Sequence, residues 1–475
     1  MTASGHAPAW RGPVSLMAAC FAGLVALSWF RLWYVGTVNL DGLPVDMPWE
    51  IGRRTAMFFL FFGAGWSFLR ILSLEIGEGE VRGLLTSSVL IQAVLLLSLP
   101  LTSNDIFSNL AYGKMSILGI DADLLGAAAL SPDDPFRGMV TARWLTTPIV
   151  YGPVIAFMNR LVTAPESLWL SMALFKAVSF ALSLAITALA YLYCARFKGG
   201  ASRARSFAMI ALNPVFLWEI SAQAHNDSVM LLGIVAFVFF VSARMEWRAF
   251  LSILFAFAAK IAVLPVIGLY LAYTFFASRK RLALYIVFLA SLSAVAALYF
   301  SGKLGIILVP PDSGGVDMTR LTNTPLYLVA RLLASAGPAV QSAGYKAYWT
   351  AAMVAMALLG LRMAWRARSA DRLFLFGLAF TVLFNLVASP TYQPWYCLWV
   401  LPFAMALGER PIVRFVELYS VITVAQYAIL NSLSGSIINL GVLALFLIYF
   451  RKDEELLGEV VGFRRRPAQG VRGQC

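Results

Sequence analysis

Asp105 is the residue whose type and position most invite a reaction. It lies five residues past Pro100, where an apolar run ends. It also opens a stretch, residues 101–151, with five carboxylates (Asp105, Asp121, Asp123, Asp133, Asp134) against three bases (Lys114, Arg137, Arg143). In a chain of formal net charge +13, that local excess of acid is unusual. A carboxylate set just beyond an apolar helix costs little solvation, yet it stays within reach of anything a bilayer holds. Asp105 is therefore the candidate general base, placed to take a proton from a hydroxyl in water while a lipid-anchored reactant stays in the membrane.

Three other loops carry groups of the same kind. One is the turn Gln223-Ala224-His225-Asn226-Asp227, one is residues 302–323 with Lys303, Asp312, Asp317 and Arg320, and one runs Ser389-Pro390-Thr391-Tyr392-Gln393-Pro394-Trp395-Tyr396. Each has a purely structural reading. Asn226 and Asp227 suit the N-cap of a helix starting at Ser228, and Tyr392, Trp395 and Tyr396 suit an interfacial aromatic belt. Their clustering with Pro390, Gln393 and Pro394 favours a ligand surface.

Charges inside apolar runs carry more weight, because each costs on the order of 2.5 to 3.5 kcal/mol at a helix centre. Lys176, Glu219 and Lys260 are of this kind. Arg31 and Arg70 lie near enough to span ends to snorkel. A lysine at membrane depth can neutralise the phosphate of a lipid carrier. The competing reading is an internal ion pair, for instance Lys260 with Glu219.

These residues need elements to hold them, and composition decides which. With 60% hydrophobic residues, 13% charged and a mean hydropathy of +0.78, the chain is excluded from ordinary soluble globules. Cys20, Cys194, Cys397 and Cys475 are scattered, which suggests neither a disulfide framework nor a metal cluster. The bases fall in short clusters between apolar spans without an RNA-binding signature, so no nucleic-acid partner is expected. Positive-inside topology explains them instead.

Apolar runs suited to crossing lie near 13–35, 55–76, 84–101, 167–197, 207–222, 228–243, 282–300, 345–365, 373–388, 395–407, 412–430 and 437–450. The first is too long for a signal-peptide core. Residues 148–162, interrupted by Asn159 and Arg160, read as interfacial or re-entrant. Residues 250–276, broken by Lys260 and Pro265 and flanked by bases on both sides, dip in and return, as broken segments do where they line a cavity. The expected fold is all-α, a polytopic membrane bundle of about 12 to 14 transmembrane helices with interfacial helices in its exoplasmic loops.

Three parts follow: two N-terminal spans in 1–83, a core in 84–450 with exoplasmic loops 102–150 and 301–344, and a basic cytoplasmic tail, 451–475. The clusters Arg196/Lys198/Arg203/Arg205, Arg279/Lys280/Arg281 and Arg362/Arg366/Arg368/Arg372, assigned to the cytoplasm, put residues 101–151 outside. Only the connector Glu75–Arg82, with more acid than base, argues the other way.

Four blocks carry a resemblance: SNDIFSNLAYGK (103–114), NPVFLWEISAQAHND (213–227), KIAVLP (260–265) and SPTYQPWYCLWVLP (389–402). Spread over about two thirds of the chain, they resemble the bacterial polyprenol-phosphate-mannose-dependent alpha-mannosyltransferases of the GT-C superfamily of multispanning glycosyltransferases. The resemblance implies a hexosyltransferase of the bacterial inner (plasma) membrane, with its site facing the periplasm or exterior. Its partners would be a polyprenyl-phosphate-linked sugar donor, a glycan or glycolipid acceptor of the envelope, and membrane lipid. By position in the first large exoplasmic loop, Asp105 would be the base. Asp133, Asp134 and Asp227 compete for the second acidic role common in that superfamily. A divalent cation is used by some members, and the metal stays open here. The chain departs from the pattern by two spans ahead of the core and no large C-terminal soluble domain, which leaves acceptor choice open.

The residues support the same chemistry in their own right. A lipid-phosphate sugar offers a good leaving group, so transfer needs one base and groups that hold the departing phosphate. Lys260, His225, Arg143 and Arg320 are the candidates for the phosphate. Asn226, Tyr151, Tyr392, Gln393, Trp395 and Tyr396 are those for sugar and acceptor. The rival class is a lipid-linked oligosaccharide flippase or other transporter, but transporters show internal repeats and mid-membrane polar groups, whereas here the polar groups sit mostly in outer loops.

Overall fold

The computed structural model describes residues 8–38, 47–300, 321, 323–428 and 432–461, with only the backbone of residues 47, 143, 291–300, 432 and 461. Among these residues the chain is all helix and turn, with no strand, and it forms an integral membrane protein. Helices α1 (Arg11–Val35), α2 (Met47–Ser73) and α3 (Val81–Leu96) come first. Two short ones follow, α4 (Asp105–Ile117) and α5 (Pro153–Thr163), then the long α6 (Leu168–Phe197) and α7 (Gly200–Ala211). Next are α8 (Asp227–Ser242), α9 (Glu246–Ala259), α10 (Leu264–Ala277), α11 (Arg279–Phe300) and α12 (Pro325–Leu333). The rest are α13 (Pro338–Arg366), α14 (Ala370–Leu383), α15 (Leu401–Leu407), α16 (Pro411–Ala425), α17 (Ser432–Lys452) and α18 (Glu454–Val461).

Seven helices among the described residues are long and apolar enough to cross a bilayer: α1, α2, α3, α6, α13, α14 with its extension to Ala388, and α17. They share one apolar core that runs from Trp10 to Val460.

Proline decides where several expected crossings break. Residues 207–222 do not form one helix: α7 ends at Ala211, and Asn213 caps a new start by accepting from Val215 N (3.0 Å) and Phe216 N (3.3 Å). Pro214, which has no N–H to donate, sits at that new first turn. The segment then widens into a π-helix, Leu217–Ala222, with Gln223 N bonded to Trp218 O at 2.9 Å. Residues 395–407 are likewise no regular crossing. They form a tight 3₁₀ stretch, Pro394–Val400, followed by the seven-residue α15, with Pro394 and Pro402 marking the two starts.

The broken run 250–276 follows an in-and-back course. Lys260 is extended (φ −153°, ψ 127°) between α9 and α10, the Tyr270 hydroxyl donates to Glu246 O at 2.8 Å, and Arg281 pairs with Glu246. Both feet of the hairpin therefore stand together, with Lys260 at the far tip.

Charge divides the bundle into two ends. Arg205 meets Glu417, Lys198 Nζ donates to Ala406 O (2.6 Å), Arg410 pairs with Glu455 (2.7 Å) and Arg372 with Glu459 (2.7 Å). The basic loops and α18 thus lock together at one end. The acidic connector before α3 belongs to the same end: Glu78 is paired with Arg203 at 3.1 Å, so its excess acid is neutralised by a cluster from another loop.

Candidate active site

Asp105 sits at the end of the bundle away from the basic loops, as the first residue of α4. Its backbone N donates to Ser103 Oγ (3.1 Å). The chain just before it is stitched to the turn after the π-helix. Leu101 N and Thr102 N both donate to Gln223 Oε1 (2.9 and 3.1 Å), and Trp218 Nε1 donates to Thr102 Oγ1 (2.9 Å).

One turn along α4, Asn109 Nδ2 donates to Asp105 O (2.8 Å), while its Oδ1 accepts from Asn226 (3.0 Å) and Asn159 (3.1 Å). Three asparagines from three elements thus fix Asp105 relative to the His225 turn. The close approach of α4 and α5 depends on Gly113, where a Cβ would stand 2.3 Å from Asn159 O. At 13 and 11 residues, neither helix can span a bilayer.

Two charged groups result. In the first, His225 lies with Nδ1 3.8 Å from Asp105 Oδ2 and Nε2 3.0 Å from Glu219 Oε2. The latter is a close charge contact rather than a directed hydrogen bond. The His225 ring packs on Trp395 with centroids 4.0 Å apart. Burial opposes protonation of His225, but Glu219, and after it Asp105 and Asp227, outweigh that and raise its pKa above the ordinary histidine value. In the second group, the fully buried Asp227 accepts from Lys260 Nζ and from Trp399 Nε1, each at 2.7 Å. Lys260 Nζ also lies 5.3 Å from the Tyr151 ring centre and 5.7 Å from that of Trp399, within cation–π range.

Aromatic rings wall this space. Tyr396 stacks on Trp399 at 4.2 Å, and the Tyr151 side chain is hydrogen-bonded with Asn226. Tyr392 is buried beneath, its hydroxyl donating to that of Tyr419 at 2.7 Å, and Gln393 beside it is half-buried. Asp105, Tyr151, His225, Asn226, Asp227, Lys260, Trp395 and Tyr396 are thus brought together, with Tyr392 and Gln393 adjoining.

Asp133 and Asp134 are not. Asp133 is exposed, and Asp134 caps a one-turn helix by accepting from Phe136 N (2.8 Å). Arg320, the side chain of Arg143 and residues 302–320 lie outside the described residues. The pairing of Lys260 with Glu219 is replaced by pairing with Asp227. Lys176 is directed to Ala222 O and Ser98 Oγ (3.2 Å), pinning the end of the π-helix.

Sequence reasoning missed Asn109, Asn159 as its partner, and Trp399. Their only signal was spacing: Asn109 stands four residues after Asp105 and Trp399 four after Trp395. Among the described residues no group of three or more His, Cys, Asp or Glu side chains converges to hold a metal ion. The acids nearest to such a role are turned toward Lys260 and His225, so this donor set does not fit a divalent cation.

An all-helical membrane bundle with a partly open carboxylate, buried counter-charges and an aromatic wall at one end has the build of a multispanning glycosyltransferase. Residues 9–277 match the family model for alpha-(1->6)-mannopyranosyltransferase, N-terminal domain, and residues 318–450 match that for the MptB C-terminal domain. The chain belongs to the alpha-(1->6)-mannopyranosyltransferase family and is a membrane mannosyltransferase, whose partners are a sugar donor and a glycan acceptor. No curated protein matches it.

Proposed function

We propose that the protein moves mannose from a polyprenyl-phosphate donor to a hydroxyl of an envelope glycan or glycolipid, with Asp105 as general base. The reaction takes place at the exoplasmic face of the bacterial inner membrane. The observation that carries this reading is the division of labour among three neighbouring acids. Glu219 and Asp227 are buried and faced by His225 and Lys260, while the Asp105 side chain is 28% exposed.

Asp105 takes the acceptor's hydroxyl proton, the acceptor oxygen attacks the anomeric carbon, and the bond from that carbon to the phosphate oxygen breaks with its electrons leaving on the phosphate. Lys260 has three N–H donors, and Asp227 holds one of them. The others can meet the departing phosphate. Trp395, Tyr396 and Trp399 offer ring faces to the sugar. Placing the basic end in the cytoplasm sets this site outside.

The test is transfer of radiolabelled mannose from a synthetic polyprenyl-phosphate mannose in detergent. Asp105→Asn keeps the shape and removes the base, so turnover should fall about 10²-fold or more with donor binding little changed. Near wild-type turnover would move the base elsewhere. No transfer by the wild type from any polyprenyl-phosphate sugar would overturn the donor class.

A further inference from the structure

We propose that His225 is not a ligand of the donor phosphate but a positioning residue: an imidazolium set between buried Glu219 and Asp105 that keeps the Asp105 carboxylate aimed. The inference rests on the reading of Asp105 as the base.

Glu219 is the starting point. Its side chain is wholly buried, and among the described residues no Lys or Arg makes an ion pair with it. Its neighbours are the His225 ring and the Tyr427 hydroxyl. A carboxylate in such a place must either bind a proton or be matched by a cation, and His225 Nε2, 3.0 Å away, is the group able to supply one.

The ring cannot readily turn away, because it is buried and packed on Trp395 at 4.0 Å. That pose directs Nδ1 at Asp105. The separation of 3.8 Å is too long for a hydrogen bond, but contacts of this kind tighten when an acceptor is bound.

The same pose argues against phosphate binding. Each ring nitrogen faces a carboxylate, so an anion at either edge would meet like charge. The acids around the ring are Glu219, Asp105 and Asp227. Lys260 is held by Asp227, and the Tyr427 hydroxyl lies next to Glu219.

The sign of the pH dependence follows. His225 must be protonated, so activity is lost as pH rises through a pKa that Glu219 holds up. Glu219→Gln keeps the volume and removes the charge. It should move the alkaline limb to lower pH by about one unit or more, the usual effect of a close opposite charge.

The chain has two histidines, His6 and His225, so His6→Ala leaves His225 as the sole imidazole. A ¹⁵N-histidine NMR titration of that variant in detergent reads the ring directly. The expected result is a pKa above the ordinary histidine value, falling when Glu219→Gln is added. His225→Gln should lower kcat about 10-fold or more while donor Kd stays within about twofold.

A ring already neutral near pH 6, or an alkaline limb unmoved by Glu219→Gln, would overturn the proposal. So would a loss in His225→Gln that falls on donor Kd with kcat intact. The NMR titration with Glu219 intact needs no turnover and no folded Glu219 variant. Failure of these results with Asp105→Asn inactive would leave the base assignment standing, whereas an active Asp105→Asn would sink that assignment itself.

Discussion

Removing the ammonium from the Lys260–Asp227 pair separates what that pair does for stability from what it does for the donor. Asp227 is fully buried, and its carboxylate has two partners, Lys260 Nζ and Trp399 Nε1, each at 2.7 Å. Lys260→Met takes away the charged one and leaves a buried anion with a single neutral donor. Breaking a buried pair from one side costs about 3 to 5 kcal/mol. Trp399 still satisfies one oxygen and the Lys260 side chain is 14% exposed, so the expected cost is at the low end, about 3 kcal/mol.

Asp227→Asn in the Lys260→Met background removes the uncompensated charge and should recover about 2 kcal/mol or more of that loss. Donor affinity should not recover, since the ammonium proposed to meet the phosphate is still missing. Unfolding free energy from denaturant titration in mixed micelles gives the first quantity, and direct binding of a polyprenyl-phosphate mannose gives the second. A single-variant cost under about 1 kcal/mol would refute the energetic argument. Rescue by Glu219→Gln in place of Asp227→Asn would mean that Lys260 pairs with Glu219 after all.

Gly113→Val drives a side chain into the Asn159 carbonyl, where even a Cβ would stand 2.3 Å away. Thermal melts should show α5 loosened from α4 at a cost of about 1 to 3 kcal/mol, with turnover falling alongside because Asn159 no longer reaches Asn109. For topology, Cys20, Cys194 and Cys397 are buried, so a Cys475→Ser background suits single-cysteine labelling. Ser131→Cys, exposed near α4, should react with an impermeant maleimide in intact cells and Ala201→Cys at the basic end should not, and the reverse pattern would invert the orientation.

What could be read from the sequence was what length and hydropathy control. The run 167–197 appears as α6 (Leu168–Phe197) and 437–450 falls within α17 (Ser432–Lys452), because a bilayer demands about 20 apolar residues and those segments supply them. The hairpin through Lys260 was legible as well, since bases flank both of its feet. Residues 395–407 were not. Hydropathy cannot distinguish an apolar segment packed in protein from one facing lipid, and this one is buried almost throughout between two proline-marked starts. Partner choice was equally hidden: Lys260 meets Asp227 rather than Glu219 because of where the hairpin tip arrives, which no local pattern encodes. Asn109 escaped notice because a lone asparagine on a short helix has no signature until Asn159 and Asn226 converge on it.

The two segments that deliver the site's turns, before Gln223 and before Ser389, both end in π-helices, Leu217–Ala222 and Phe384–Ala388. Such turns are rare, and they occur frequently at functional sites. Here the first leaves Glu219 facing His225 and lets Gln223 bind the backbone at Leu101 and Thr102. Placement of the backbone at Asp105 therefore comes from neutral groups, Gln223 and the three asparagines, whose hydrogen bonds persist whatever the protonation state of the acids. These neutral contacts hold the backbone around Asp105, so a change of charge on its carboxylate need not loosen the framework that carries it.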